Sequence, residues 1–125
     1  MGIETIIPLT DLPPDQQWLD CVTWLFGHTD IHGARERIEH GGAYGDLLPT
    51  DPLQDGDIAF IFFRGNFWHV GQVKDGRIIG KATSRGGVQA GTVQDYRGAG
   101  YAVRAYRRNH TPFTRENNPF NSTPA

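Results

Sequence analysis

Two side chains of this sequence could together cut an amide bond. Cys21, the only cysteine among 125 residues, lies in the segment Trp-Leu-Asp-Cys-Val-Thr-Trp, and His69 lies in the strand-like segment Phe-Trp-His-Val-Gly-Gln-Val. A thiol becomes a nucleophile at neutral pH when a nearby base takes its proton, and an imidazole is the usual base. The pair therefore predicts a cysteine hydrolase. The alternative is an inert thiol in the core, since cysteine is among the most buried residue types.

The first helix decides which environment the thiol has. Apolar residues recur at helical spacing from Asp15 to Phe26, and Gly27 is a natural stop. Asp20 is an alternative N-cap, which would place Cys21 in the first helical turn. A helix N-terminus stabilises a thiolate and a mid-helix position does not, and the sequence leaves both placements open.

The remaining pattern predicts a second helix and then strands. Residues 1–14 are predicted to be an irregular entry, residues 32–40 a short helix and residues 43–56 turns. Five strands are predicted over residues 58–63, 68–74, 77–82, 88–93 and 101–107, with a hairpin at Asp75-Gly76. Helices followed by antiparallel strands predict an α+β domain over residues 1–108, with helices packed on a sheet of about five strands. Residues 109–125 are predicted to be a polar extended tail or linker.

Composition narrows the possible partners. The net charge of -2 gives no reason to expect nucleic acid or an acidic membrane. A single cysteine excludes an internal disulfide framework. The longest apolar run, Ile58 to Phe63, is too short to span a bilayer, and the first ten residues lack the features of a signal peptide. We therefore expect a soluble protein, made in the cytoplasm, with no nucleic-acid or membrane partner.

Other groups of polar residues are weaker candidates for a site. His28 and His32, with Asp30 between them, have the spacing of metal ligands on one helical face, but the flanking glycines make a loop the better interpretation. No cysteine pair or His-Glu motif supports a zinc site. We therefore predict neither a metal nor a cofactor.

Four short motifs occur in an informative order. They are Asp20-Cys21, Gly56-Asp57-Ile58-Ala59-Phe60, His69-Val70-Gly71 and Lys81-Ala82-Thr83-Ser84. In this order the chain resembles the NlpC-type papain-like cysteine peptidases of bacterial and phage cell-wall hydrolysis, over approximately residues 18–108. The related CHAP amidases share the Cys-then-His order and stay an alternative.

The resemblance implies a function and a site. It implies a papain-like domain that hydrolyses amide bonds in peptidoglycan stem peptides or cross-links, with Cys21 as nucleophile and His69 as base. Asp20, Val22 and Trp68 are the expected substrate-binding residues. No cofactor is implied. A wall hydrolase without a signal peptide is typical of phage lysins, virion components and antibacterial effectors, so a phage particle or a wall-binding module is the expected partner.

Two positions depart from the family pattern. Val22 and Thr23 stand where Ser-Gly is usual, and Lys81 stands where a His, Asn or Gln accepts a hydrogen bond from the imidazole. A protonated lysine has no acceptor. Lys81 could bind a substrate carboxylate, which we favour; it could be deprotonated by burial; or the site could be impaired. A non-catalytic binding or structural domain is therefore the second prediction, and acyl transfer to an amine by the same dyad is a third.

Overall fold

The chain folds around one antiparallel sheet. The computed structural model describes residues 2–27, 31–44, 47–50 and 53–108, and of residues 31–33 and 108 it describes the backbone alone. The strands are β1 (Glu4–Ile7), β2 (Leu47–Thr50), β3 (Ile58–Phe63), β4 (Asn66–Lys74), β5 (Arg77–Lys81), β6 (Val88–Gly91) and β7 (Ala102–Arg108). The helices are α1 (Cys21–Phe26), α2 (Ile31–Glu39) and α3 (Val93–Gly98), and a 3-10 helix covers Leu9–Asp11.

The seven strands lie in the order β1-β6-β5-β4-β3-β7-β2, and every neighbouring pair is antiparallel. The prediction of an α+β domain with helices packed on about five strands is therefore wrong. The fold is mainly β, with three short helices. The five predicted strands are present, and the difference comes from two further strands, β1 and β2, at the two ends of the sheet. No helix in the described part of the chain is long and apolar enough to cross a bilayer.

The two faces of the sheet have separate cores, because side chains alternate along each strand. The Cys21 face, which packs against α1 and α2, buries Ile58, Phe60, Phe62, Phe67 and Val70. The Tyr96 face, which packs against α3, buries Ala59, Ile61, Val73 and Ile78. Each side chain of the predicted site can therefore be assigned to one face or the other.

Both helices near the predicted site differ in extent from the prediction. The first is six residues long and begins at Cys21, so the alternative N-cap, Asp20, is confirmed: its carboxylate accepts a hydrogen bond from the Thr23 amide at 2.8 Å. The second covers Ile31–Glu39, close to the predicted residues 32–40. The predicted tail, residues 109–125, lies outside the described residues.

The Gly-Asp motif before β3 has a structural role. Gly56 has a φ of 91°, which favours glycine, and its turn places the Asp57 carboxylate in the core. Arg107 on β7 donates two hydrogen bonds to that carboxylate, at 2.7 and 2.9 Å, and the Gln54 amide donates a third at 2.8 Å. The motif thus fixes the start of β3 to the end of β7.

Candidate functional site

Cys21 lies at the first position of α1, against the sheet. Its side chain is 9% exposed. The backbone amides of Val70, Val22 and Cys21 itself hydrogen-bond to the sulfur, and each lowers the thiol pKa. Burial is the larger effect, and with a smaller contribution from the Asp20 charge it raises the pKa of Cys21 above the ordinary value of 9.0. The resting thiol is therefore protonated at neutral pH, yet it is surrounded by donors that would stabilise negative charge.

Lys81 shares this face of the sheet. Ile78 lies on the Tyr96 face, so alternation along β5 places Lys81 on the Cys21 face. Its side chain is fully buried, and its Nζ donates a hydrogen bond to the carbonyl oxygen of Thr83 at 2.6 Å. It is close enough to Asp20 for the carboxylate charge to favour its protonated form, as a Cys21 thiolate would also do. Burial outweighs them and lowers the pKa of Lys81.

His69 lies on the opposite face. A β-bulge at Trp68 interrupts the pairing of β3 with β4, so that Phe62 pairs with Phe67 while Ile61 pairs with His69. A bulge adds a residue to one strand and changes which face the following side chains occupy. As a result His69 shares the Tyr96 face with Ile61. The expected contact between the imidazole and the Cys21 thiol is not formed, because the sheet lies between them.

The surroundings of His69 are apolar. Its ring stacks on that of Tyr96, with centroids 6.2 Å apart, and a β-carbon added to Gly80 would lie 3.1 Å from Nε2. Neither Nε2 of His69 nor the hydroxyl of Tyr96 has a hydrogen-bond partner in the described part of the chain. Burial lowers the pKa of His69 to about 4, so the imidazole is neutral at pH 7.

The three expected substrate-binding residues lie in different environments. Asp20 caps α1 and is half-buried beside the thiol. Val22 is 1% exposed, so its side chain is not accessible to a substrate. Trp68 is 60% exposed but lies with Phe63 and Tyr101, on the side of the sheet away from Cys21. Of the three, Asp20 alone has its side chain near both Cys21 and Lys81.

Two contributors to the site were not predicted from the sequence. The Val70 amide reaches the sulfur because β4 forms its ladder with β5 only from Gln72 onward. The Thr83 carbonyl holds the amino group of Lys81 from the turn after β5. Both are backbone groups, so no residue type in the sequence indicates them. The weaker metal candidate, His28, Asp30 and the His32 side chain, lies outside the described residues.

The chemistry available on the Cys21 face is that of a thiol beside an amine. A neutral lysine can accept a proton from a thiol, which lysines do when burial lowers their pKa. Amide groups around the sulfur can bind an oxyanion. The arrangement therefore places a thiol, an amine and backbone N–H donors on one face of the sheet without an imidazole.

No family model matches the chain, and no curated protein or solved structure is significantly similar to it.

Proposed function

We propose that the protein is a cysteine amidase or peptidase in which Cys21 is the nucleophile and Lys81, as a neutral amine, is the base. The observation that supports this proposal is the position of the two side chains on one face of the sheet, with Lys81 fully buried and held by the Thr83 carbonyl. One hydrogen bond fixes the amino group, and in the neutral form of the lysine the lone pair on Nζ accepts a proton. His69 has no direct part in this chemistry.

The proposed reaction forms and hydrolyses a thioester. As Sγ attacks the carbonyl carbon, the thiol proton moves to Nζ of Lys81 and the carbonyl electron pair moves to oxygen, where backbone amides stabilise it. The C–N bond then breaks, and the Lys81 ammonium gives its proton to the departing amine. Water attacks the thioester and loses a proton to Lys81. The sulfur leaves as thiolate and regains that proton.

The substrate proposed for this reaction is an amide of a peptidoglycan stem peptide or cross-link. The support for this substrate is the order of the sequence motifs, from Asp20-Cys21 to His69-Val70-Gly71. The same motif order supports the proposal that the protein is a phage lysin, a virion component or an antibacterial effector. The net charge of -2 gives the protein no general attraction to anionic polymers. Recognition would therefore depend on the site itself.

The test is digestion of purified peptidoglycan fragments, with products identified by mass. Wild type should release new amine and carboxyl ends, and Cys21→Ala should release none. Lys81→Met should lower the rate by about 100-fold or more, the usual contribution of a general base. His69→Phe, which keeps the stacking on Tyr96, should retain the rate within about threefold, since it is remote from the reacting atoms.

Three results would contradict the proposal. These are full activity in Cys21→Ala, no cleavage of any fragment by wild type, and loss of activity in a folded His69→Phe variant. The last would restore the imidazole as the base. Circular dichroism and thermal unfolding of each variant separate a chemical effect from a folding defect.

A second candidate is a non-catalytic binding or structural domain. The observation that favours it is the separation of His69 from Cys21 by the sheet, together with a thiol whose pKa is raised by burial. In that case the lysine only fills the core beside α1. Tight binding of peptidoglycan fragments with no products in any sample would favour this candidate.

A further inference from the structure

A small pocket opens between α1 and the sheet, on the Cys21 face. It has a volume of about 190 Å³ and is lined by Trp24, Leu25, Gln72, Lys74 and Ile79. The side chains of Trp24, Leu25 and Ile79 are partly buried, and those of Gln72 and Lys74 are exposed. We call it the Trp24 pocket.

The Trp24 pocket lies about one helical turn along α1 from Cys21, and two residues along β4 and β5 from Val70 and Lys81. Leu25 follows Cys21 by four residues, which is about one helical turn, or about 5.4 Å. Ile79 precedes Lys81 by two residues on the same face of β5, a displacement of about 7 Å. On β4, Gln72 follows Val70 by two residues, and it pairs with Ile79 of β5. All three steps lead in one direction, so the pocket lies about one residue length from the thiol, within reach of a peptide held at Cys21.

The size of the pocket fits a single side chain. Sites for whole small molecules have volumes of about 300–1,000 Å³, well above the 190 Å³ found here. The inner wall is made of an indole, a leucine and an isoleucine side chain. An aliphatic group buried there loses contact with water without leaving any polar group unpaired. The pocket therefore fits an aliphatic side chain better than a polar one.

The outer rim of the pocket carries one positive charge, that of Lys74. Lys74 is exposed and forms no ion pair with the described residues. Gln72 directs its amide nitrogen to the Gly56 carbonyl at 3.4 Å, which leaves its side-chain oxygen as an acceptor for a peptide N–H. A substrate that passes over the aliphatic wall thus meets an amide acceptor and then a positive charge.

We propose that the Trp24 pocket is the specificity site for a peptide substrate. It would bind an aliphatic side chain next to the scissile bond, and Lys74 would bind a carboxylate one or two residues farther along. This inference rests on the proposed function, because it takes Cys21 as the reacting group. The apolar lining and the charge of Lys74 make the proposed substrate an acidic peptide with an aliphatic residue beside the bond that is cut.

Binding can be tested without turnover in the Cys21→Ala variant. The probe is N-acetyl-leucyl-alanyl-glutamate, with two analogues: one with serine in place of leucine, and one with glutamine in place of glutamate and an amidated C-terminus. Isothermal titration calorimetry should show binding of the probe and weaker binding of each analogue. The loss should be about tenfold or more for serine, from the lost apolar burial, and about two- to fivefold for the uncharged analogue.

Protein variants localise the effect. Ile79→Phe, which fills the pocket, should weaken binding of the probe by about tenfold or more, and Ile79→Val should change it less. Lys74→Gln should weaken binding two- to fivefold and abolish the preference for the charged peptide, whereas Lys74→Arg should keep it. Raising the salt concentration should reproduce the effect of Lys74→Gln. Each variant is first compared with Cys21→Ala for its unfolding midpoint.

The outcomes separate this inference from the proposed function. Binding that Ile79→Phe leaves unchanged, or that does not distinguish leucine from serine, overturns the pocket assignment even if wild type cleaves peptidoglycan. Binding that follows the pocket variants, with no cleavage by wild type, supports the pocket and rejects the catalytic proposal. No binding of any of the three peptides overturns the inference.

Discussion

His69 stacks on Tyr96 with 24° between the ring planes, and neither Nε2 of His69 nor the hydroxyl of Tyr96 has a hydrogen-bond partner in the described part of the chain. An imidazole in this position is a core side chain. It lies on the opposite face of the sheet from the Cys21 thiol with which the sequence predicts it to act. Its burial has a measurable cost, because the ring cannot take up a proton without destabilising the fold.

Acid should therefore destabilise the protein well above the pKa of its carboxylates. The pKa of His69 is 6.5 when unperturbed and about 4 in the fold, so below pH 6.5 the unfolded chain binds a proton that the folded chain does not. Stability is complete above pH 6.5 and falls as the pH drops toward 4, by about 2 kcal/mol at pH 5. Urea unfolding of wild type and His69→Phe at pH 7 and pH 5 measures this loss, which the variant should not show.

The thiol should react slowly while the protein is folded. Burial raises the pKa of Cys21 above 9.0, and only the thiolate reacts with iodoacetamide. We expect the alkylation rate of the folded protein to reach half its maximum above pH 9, and that of the urea-unfolded chain to do so at the ordinary value. Mass spectrometry of timed samples gives both profiles. Rapid alkylation of the folded protein at pH 7 would mean that a thiolate exists before substrate binds.

Replacing Lys81 by methionine should increase stability. The lysine is fully buried and burial lowers its pKa, so at neutral pH the fold bears the cost of an amino group away from water. Methionine has similar length and no polar atom, and we expect the free energy of unfolding to rise by about 1 kcal/mol. The control is Lys74→Met at an exposed position, with a change within about 0.5 kcal/mol. A large loss of stability in Lys81→Met would contradict this cost of burial and show that the lysine stabilises the fold.

The ion pair between Asp57 and Arg107 should contribute more to the free energy of unfolding than the exposed pair between Glu4 and Arg77. Asp57 is almost fully buried and accepts two hydrogen bonds from Arg107, so Asp57→Asn leaves the guanidinium without its counter-charge. We expect a loss of about 2–3 kcal/mol by urea unfolding. Glu4 and Arg77 form a pair of the same length, 2.7 Å, at the surface, and Glu4→Gln should cost less than about 1 kcal/mol. Equal losses in the two variants would show that burial does not decide the strength of these pairs.

The sequence predicts the centre of the sheet better than its edges. β3 is six consecutive apolar residues, and Asp75-Gly76 supplies a tight turn between β4 and β5. By contrast β1 is exposed along its whole length and pairs with β6, more than eighty residues away. The strand conformation of β1 depends on its pairing with β6, so the local sequence pattern does not indicate it. β2 contains Pro49 among turn residues and is held by β7 in the same way.

The site was predictable in part. Asp20 is a good N-cap, so the position of Cys21 at the start of α1 could be considered from sequence. Thr92 and Val93 lie within the predicted strand over residues 88–93, whereas the capping box of Thr92 and Asp95 starts α3 at this point. The face of the sheet on which His69 lies could not be predicted from the sequence, since Phe67, Trp68 and Val70 suit a buried strand with or without a bulge.

The bulge at Trp68 shifts the alternation of side chains between the two faces of the sheet along β4. Phe67 and Val70 lie on one face although they are three positions apart in sequence, because one extra residue is inserted between them. If the extra residue were Val70 instead of Trp68, His69 would pair with Phe60 and its imidazole would turn to the thiol, while Gly71 and all later residues kept their partners. The position of one inserted residue thus determines whether the His69 imidazole lies on the same face of the sheet as the Cys21 thiol or on the opposite face.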